Sequence, residues 1–438
     1  MKNKLSITIV PVVLFAIMAL LRINADFFYD EVYSLFNFIF VPLQNTVLVY
    51  SSLNNHFLSN LINSVVMKLA GTPDVSMIMD SPWKIRIIEL FYAGGAVYFM
   101  WRMKDVYGDM VAKYAVVILV TTIPFLNYAT LVRGYCLSMF LMAGLLYYAL
   151  MKRNVWTAVF TGLLLYSMPS NAYVIMALAI GLLITHRWNV TGIMGIGVVV
   201  AIVAYTPMLE DMLTDPQLQS AFMSHPSTLY QTLPVAFHSF ISWRYLLLIP
   251  IAIGAKYSLK FRPQSMLLLL CVLIIPFVLA YLKGGAHYDR TFLVLLPAFC
   301  LLAGLCLGCM SRTLYPLVVS YCMITMVAAT MMYGGVLRND IVLGRPRRVS
   351  ILCNYWEAYY HPKSTLKEFN ILRSPTVGFN RIRADVAAIP VYAQRYCNMS
   401  LNPDNPDSMY VISCEVPMEG LERFNSELGF HNIYLVTK

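Results

Sequence analysis

The stretch ITIVPVVLFAIMALLRINADFFYDEVYSLF, residues 7–36, sets an apolar run against two adjacent carboxylates, Asp30 and Glu31. The run 7–21 reads as the core of a membrane helix, and the segment beyond it turns amphipathic. Asp30 and Glu31 therefore stand at a membrane surface. Ionised side chains are costly beside hydrocarbon and persist there mostly where they do chemistry, bind ions or pair, which makes this position a site hypothesis.

The rest of the chain reads the same way. Of its 438 residues 59% are hydrophobic and 12% charged, and the mean hydropathy is +0.65, which excludes an ordinary soluble domain. Apolar runs recur up to about Tyr333, each bracketed by charges or by Gly, Pro and Asn turns. They predict about eleven spans, near 5–23, 86–101, 111–127, 134–151, 154–168, 171–185, 190–206, 241–255, 265–282, 291–310 and 314–333. The fold class expected is an all-α polytopic membrane bundle, residues 1–336, followed by a small soluble α/β domain, residues 337–438.

Sidedness is read from the basic loops. Lys2, Lys4, Arg102, Lys104, Lys113, Lys152, Arg153, Arg187, Lys256, Lys260, Arg262 and Arg312 fall in one set, which places that set and the N-terminus in the cytoplasm of a cell with an inner membrane. Asp30, Glu31, Glu210, Asp211, Asp215, Asp289 and the tail then share the outer, periplasmic face. The first segment is read as an uncleaved anchor, since Ile23 suits a cleavage site poorly. The net charge of +10 is spread over loops and tail without a basic stripe interleaved with aromatics, so nucleic acid is not an expected partner.

Six of the nine cysteines lie in predicted spans, where they read as small apolar fillers, the Cys306-x-x-Cys309 pair included. Cys353, Cys397 and Cys414 lie in the tail, where one disulfide of unreadable connectivity is expected. Within the tail, 374–380, 409–414 and 432–437 read as strands and 418–428 as an amphipathic helix. The long loop 207–239 carries Glu210, Asp211 and Asp215 as a solvated rim.

Between the first two spans lie two amphipathic runs. Val32, Leu35, Phe36, Ile39 and Phe40 recur at helical spacing, and so do Phe57, Leu58, Leu61, Ile62, Val65, Val66 and Leu69. The second set stands opposite Asn55, Ser59, Asn60, Asn63, Ser64 and Lys68. Both predict interfacial helices, apolar faces on the membrane and polar faces towards water.

Asp30-Glu31-Val32-Tyr33-Ser34-Leu35, then Asn54-Asn55-His56-Phe57-Leu58, Arg86, Arg133-Gly134-Tyr135 and Tyr288-Asp289-Arg290-Thr291-Phe292 occur in that order on one predicted face. This series resembles the GT-C membrane glycosyltransferases, which include protein O-mannosyltransferases and the lipid A aminoarabinose transferase; the likeness covers roughly the first 335 residues. Many members carry proline where this chain has Phe57. The resemblance implies an inverting transfer of a sugar from a polyprenyl-phosphate carrier to a hydroxyl of an envelope glycan, lipid or protein on the outer face.

In that reaction the acceptor hydroxyl loses a proton as it attacks, so a carboxylate must stand within hydrogen-bond reach. Asp30 is the expected base. Glu31 orients the acceptor or, with an optional divalent cation to which His56 also contributes, holds the donor phosphate. Arg133, Lys283 and Arg290, at outer ends of predicted spans, suit the phosphate charge, with Asn55, His56 and Arg86 lining the substrate.

Each residue also has a plainer reading. Asp30 serves as a helix N-cap, Arg86 pairs with Glu89 three residues on, Arg133, Lys283 and Arg290 snorkel to lipid headgroups, and His56 is a satisfied polar residue. Two other functional classes remain open: a transporter or flippase of a lipid-linked sugar, and an outer-face polysaccharide polymerase or ligase using the late loop 207–239.

Overall fold

The computed structural model describes residues 7–24, 27, 29–48, 55–72, 74–78, 81–214, 227–283, 289–310 and 313–332, and four tail strands. The chain divides into two compact units: segments 1–20, 41–70 and 85–329 form the first, and segments 21–40, 71–84 and 330–438 the second.

The helices in chain order are α1 Ile9–Arg22, α2 Tyr29–Ser34, α3 Leu43–Leu48, α4 Phe57–Leu69, α5 Trp83–Arg102 and α6 Lys104–Tyr107. Then come α7 Asp109–Val120, α8 Ile123–Tyr128, α9 Tyr135–Leu150, α10 Asn154–Ser167, α11 Ala172–Ile184 and α12 Trp188–Tyr205. The series continues with α13 Leu209–Thr214, α14 Ser227–Ile241, α15 Leu248–Phe261, α16 Pro263–Lys283, α17 Leu296–Gly308 and α18 Leu314–Met332. Every predicted span meets a helix. By length and composition three described segments can cross a membrane, Trp188–Thr214, Pro263–Leu282 and Arg290–Gly308, and the bent pair Leu233–Ile241 and Tyr245–Phe261 adds a fourth if it is one span. Others, such as α1 and α9, are apolar but shorter, and α5 carries Lys84, Arg86, Glu89 and Arg102 within its 20 residues.

The first unit is built round α7, α9 and α17, whose side chains are almost all buried. Small residues let these helices close up, as in other apolar bundles where van der Waals packing drives association. A Cβ on Gly304 of α17 would lie 2.6 Å from the Val111 carbonyl of α7, and one on Gly162 of α10 would lie 3.0 Å from the Gly197 carbonyl of α12. Phe99 of α5, Phe140 of α9 and Phe160 of α10 fill the neighbouring layer with ring centroids 5.4–5.8 Å apart.

Several local expectations are corrected. The predicted span 111–127 breaks at Thr121 and Thr122 into α7 and α8, because Pro124 at the start of α8 cannot continue the ladder of α7. The expected loop 207–239 contains α13 and α14, with Pro234 inside α14. The predicted span 241–255 begins instead at an 85° corner. Ser242 and Trp243 turn the chain there with φ of +47° and +69°, an uncommon region for residues other than glycine.

That corner is held by Arg244, fully buried and not foreseen from the sequence. Its Nε donates to the Ile241 carbonyl (2.8 Å) and Nη1 to the Ile118 carbonyl and Thr121 Oγ1 (2.9 and 2.8 Å). Its Nη2 donates to Thr122 Oγ1 and the Phe240 carbonyl (2.6 and 3.2 Å). One guanidinium thus closes both the end of α14 and the break between α7 and α8, and α14 packs in turn on the 3₁₀ segment Asp289–Leu295.

In the second unit, α2 widens into a π-helical turn, Leu35–Ile39, so the buried set becomes Leu35, Phe38 and Ile39 and Phe36 is left exposed. The four tail strands, β1 Val377–Asn380, β2 Tyr410–Cys414, β3 Glu422–Asn425 and β4 His431–Leu435, form a sheet of order β1-β2-β4-β3. β1 and β2 are parallel, and both β2 and β3 pair antiparallel with β4. The helix expected at 418–428 is therefore wrong over 422–425: that run, bounded by Gly420 and Gly429, is short enough to fit either period, and pairing with β4 decides it. The sequence expectations for Cys353 and Cys397 lie outside the described residues.

Candidate functional site

The site is organised by α4, whose polar face is buried where the sequence expectation had it facing water. Ser59, Asn60, Asn63 and Ser64 are all buried, whereas Val65 and Leu69 are exposed. The helix buries its amides and hydroxyls together with Phe57, Leu58 and Met67 and leaves Val65 and Leu69 exposed. Periodicity marks two faces but does not say which one the protein keeps.

His56 stands just before α4, its carbonyl accepting the first helical bond from Asn60 N (2.9 Å), while Asn60 Nδ2 donates to Asn55 Oδ1 (2.9 Å). Phe57, where relatives in the resemblance carry proline, is buried against Tyr166 of α10 and Tyr205 of α12, at centroid distances of 6.2 and 5.4 Å. The Tyr205 hydroxyl lies 3.0 Å from the Leu165 carbonyl, to which it donates, so an aromatic clamp fixes the start of α4.

The link between α8 and α9 supplies the other wall. Arg133, its amide donating to the Leu131 carbonyl (2.7 Å), is fully buried, with its guanidinium carbon 5.7 Å from the centre of the Tyr135 ring. His56 meets the edge of Tyr135 at 4.9 Å, and Tyr128 packs on Tyr135 at 4.8 Å. Arg290, half-buried on the 3₁₀ segment, acts on the same ring through its charge: burial first, then the Arg133 and Arg290 charges, push the His56 imidazole well below its ordinary value. The ring is therefore neutral near pH 7. Among the described residues neither ring nitrogen of His56 has a hydrogen-bond partner.

The structure thus brings Asn55 and His56 beside Arg133 across the Tyr135 ring, with the Arg290 charge acting on the same imidazole. Arg86 and Glu89 are both buried on α5, and the Glu89 carbonyl accepts a long bond from Cys136 Sγ (3.5 Å), which sets this part of α5 beside the first turn of α9. Both arginines at 86 and 133 are too deeply buried to be surface anchors. Asp30 and Glu31 belong to α2 in the second unit, where Glu31 is fully buried; the side chains of Asp30 and Lys283 lie outside the described residues.

Two guanidinium charges acting on a neutral imidazole favour an anion, and arginine matches phosphate bidentately. The same charges repel a cation at His56, which argues against the metal reading for that residue. Among the described residues no three His, Cys, Asp or Glu side chains gather as a metal site. Tyr128, Tyr166 and Tyr205 were not foreseen, because tyrosine is too abundant in a membrane protein to stand out.

Gly134 is the tightest point. A Cβ there would fall 2.9 Å from His56 Cβ and 3.1 Å from its Cγ, although the backbone at φ −58° accepts any residue. Gly134→Ala is expected to lower the thermal midpoint, because His56 Cβ is tied to the backbone and cannot swing aside, and to displace the imidazole so that anion affinity falls about tenfold. Undisturbed affinity in a thermal-shift titration with undecaprenyl phosphate would refute the contact's role.

No protein family and no curated protein sequence matches the chain. Two solved structures share its fold. ArnT from Cupriavidus metallidurans bound to undecaprenyl phosphate superposes with a TM-score of 0.60 at 13% identity, covering 97% of each chain. The apo form of the same protein gives 0.57 at 13% identity with the same coverage.

Proposed function

We propose that this chain is a polyprenyl-phosphate-dependent membrane glycosyltransferase of the GT-C kind, moving a sugar with inversion to an acceptor hydroxyl on the periplasmic face of the inner membrane. The observation that carries the reading is the buried, neutral His56 under the charges of buried Arg133 and half-buried Arg290, in a fold shared with a protein whose crystal structure holds undecaprenyl phosphate. The motif resemblance of the sequence points the same way. Residues 1–336 form the transferase domain in this reading, and 337–438 a domain on the same outer face.

The chemistry is built from these residues. The acceptor oxygen attacks the anomeric carbon from the face opposite the phosphate; the new glycosidic bond forms as the bond to the phosphate oxygen breaks, and the acceptor proton passes to Asp30. Glu31 orients the acceptor. Arg133 and Arg290 neutralise the charge that grows on the leaving phosphate, which is where electrostatic stabilisation contributes most. His56 donates a neutral N–H, and Asn55, Arg86 and Lys283 complete the donor site. A divalent cation is compatible with Glu31 but carries no step. The acceptor is an envelope glycan, lipid or protein.

Binding tests this directly. Undecaprenyl phosphate should raise the thermal midpoint of the detergent-purified protein in a dose-dependent way, as ligand linkage requires, while uncharged undecaprenol should do so far less. Equal effects of the two lipids would sink the phosphate site. For sidedness, a reporter active only outside the cytoplasm should work when fused after Lys438 and stay silent after Arg153. The reverse pattern would turn Asp30 away from the proposed acceptor.

A further inference from the structure

The inward face of α4 holds more than His56. Ser59, Asn60, Asn63 and Ser64 occupy one arc of the helix, together with His56 at its start, and every one of them is at least 97% buried. Asn60 and Asn63 each spend one amide hydrogen locally, on Asn55 Oδ1 (2.9 Å) and Ser59 Oγ (3.3 Å). Asn63 Oδ1 and Ser64 Oγ, like both nitrogens of His56, have no hydrogen-bond partner among the described residues. Buried polar atoms are seldom left so, and several on one face mean that something polar comes to them.

The chemistry of this arc is specific. Beyond His56 its polar groups are amides and hydroxyls, with Met67 buried among them, whereas Lys68, the one ionisable side chain within α4, is exposed. Amides and hydroxyls both donate and accept, which suits the hydroxyl groups of a sugar; they offer no counter-charge for an ammonium group. The arc also begins at the anion cluster. Seven residues of helix separate Asn63 from His56, about 10 Å of rise, the reach of one sugar ring beyond a phosphate.

We propose that Asn63 and Ser64, with Asn60 behind them, bind the hydroxyl groups of an uncharged sugar carried on the donor phosphate. The inference rests on the transferase reading above and narrows it to neutral hexoses and pentoses. An unpartnered amide oxygen is also a burden on the fold, so its presence on a packed helix signals function where apolar packing would be more stable.

The test compares lipids on the full-length, detergent-purified protein. Undecaprenyl phosphate, undecaprenyl phosphate esterified with glucose, mannose, galactose or a neutral pentose, and the same lipid carrying glucosamine are titrated against wild type, Asn63→Leu and Ser64→Ala. Wild type should bind at least one neutral glycosyl lipid about tenfold or more tightly than undecaprenyl phosphate. In Asn63→Leu that preference should vanish while affinity for undecaprenyl phosphate and the thermal midpoint hold or rise. Ser64→Ala, a smaller change that keeps the test decisive should the leucine variant misfold, should lose part of the preference. A preference that survives both substitutions, a wild type indifferent to neutral sugars, or a preference for glucosamine would each overturn the inference; the first is the outcome if only buried water fills the arc. Failure of wild type to bind undecaprenyl phosphate at all would instead remove the transferase reading beneath it.

Discussion

Asp30→Asn is expected to slow sugar transfer by at least ~100-fold while donor binding and membrane insertion persist. A general base contributes about 10²- to 10⁴-fold to rate, and an amide cannot accept the acceptor's proton at neutral pH. The competing explanation, that Asp30 merely caps a helix, predicts no such loss, because Asn is nearly as good a cap as Asp. At the start of α2 a carboxylate gains at most about 1 kcal/mol from the helix dipole, and Asn forfeits only that. Glu31→Gln should be less damaging, because orienting an acceptor is more replaceable than taking its proton. The measurement is transfer from a polyprenyl-phosphate sugar by purified, monodisperse variants. A wild-type rate in Asp30→Asn would take this residue out of the mechanism.

What could be read in the sequence divides along physical lines. Apolar runs bounded by charges each fall on a helix of the bundle, because hydrophobic length is a strong local signal; α9, read as 134–151 and found at Tyr135–Leu150, is typical. Basic residues at predicted helix ends drew attention to Arg133 and Arg290, whose charges both act on His56. The orientation of α4 was beyond reach. Asn60, Asn63 and Ser64 mark a polar face as clearly as any surface helix does, and only tertiary packing assigns that face to the interior. Arg244 was overlooked for a related reason. A single charge beside a Trp looks like an interfacial anchor, and the partners that make it a corner pin, Thr121 and Thr122, lie more than 120 residues away. The short run 422–425 shows the other limit, where a strand and a helix face cannot be told apart until a partner strand is known.

Loss of the anion cluster has the second large expected effect, and its pH dependence separates His56 from the arginines. Arg133→Ala or Arg290→Ala should weaken phosphate-lipid binding by more than ~1.5 kcal/mol, the lower range for a charged hydrogen bond and a little over tenfold in affinity. Lysine should rescue only in part, since it lacks the planar fork. His56 behaves differently. In the free protein, burial and the two guanidiniums hold its imidazole well below the ordinary value. The unfolded chain therefore binds the proton more readily than the folded one between the lowered value and about 6.5, and stability falls as pH drops through that window. A bound phosphate opposes the two positive charges and raises the imidazole again, so binding takes up part of a proton and must strengthen on acidification. The methyl ester of undecaprenyl phosphate is the right probe, because a diester keeps one charge throughout and adds no titration of its own. Its affinity should increase from pH 7.5 to 5.5 in wild type and stay level in His56→Asn, which keeps a polar group but cannot be protonated. In Arg133→Ala and Arg290→Ala the unliganded imidazole is already relieved of one charge, so affinity should be low at every pH and the acid gain smaller than in wild type. Equal slopes in wild type and His56→Asn would place the proton elsewhere and return His56 to the plain role of packing against Tyr135.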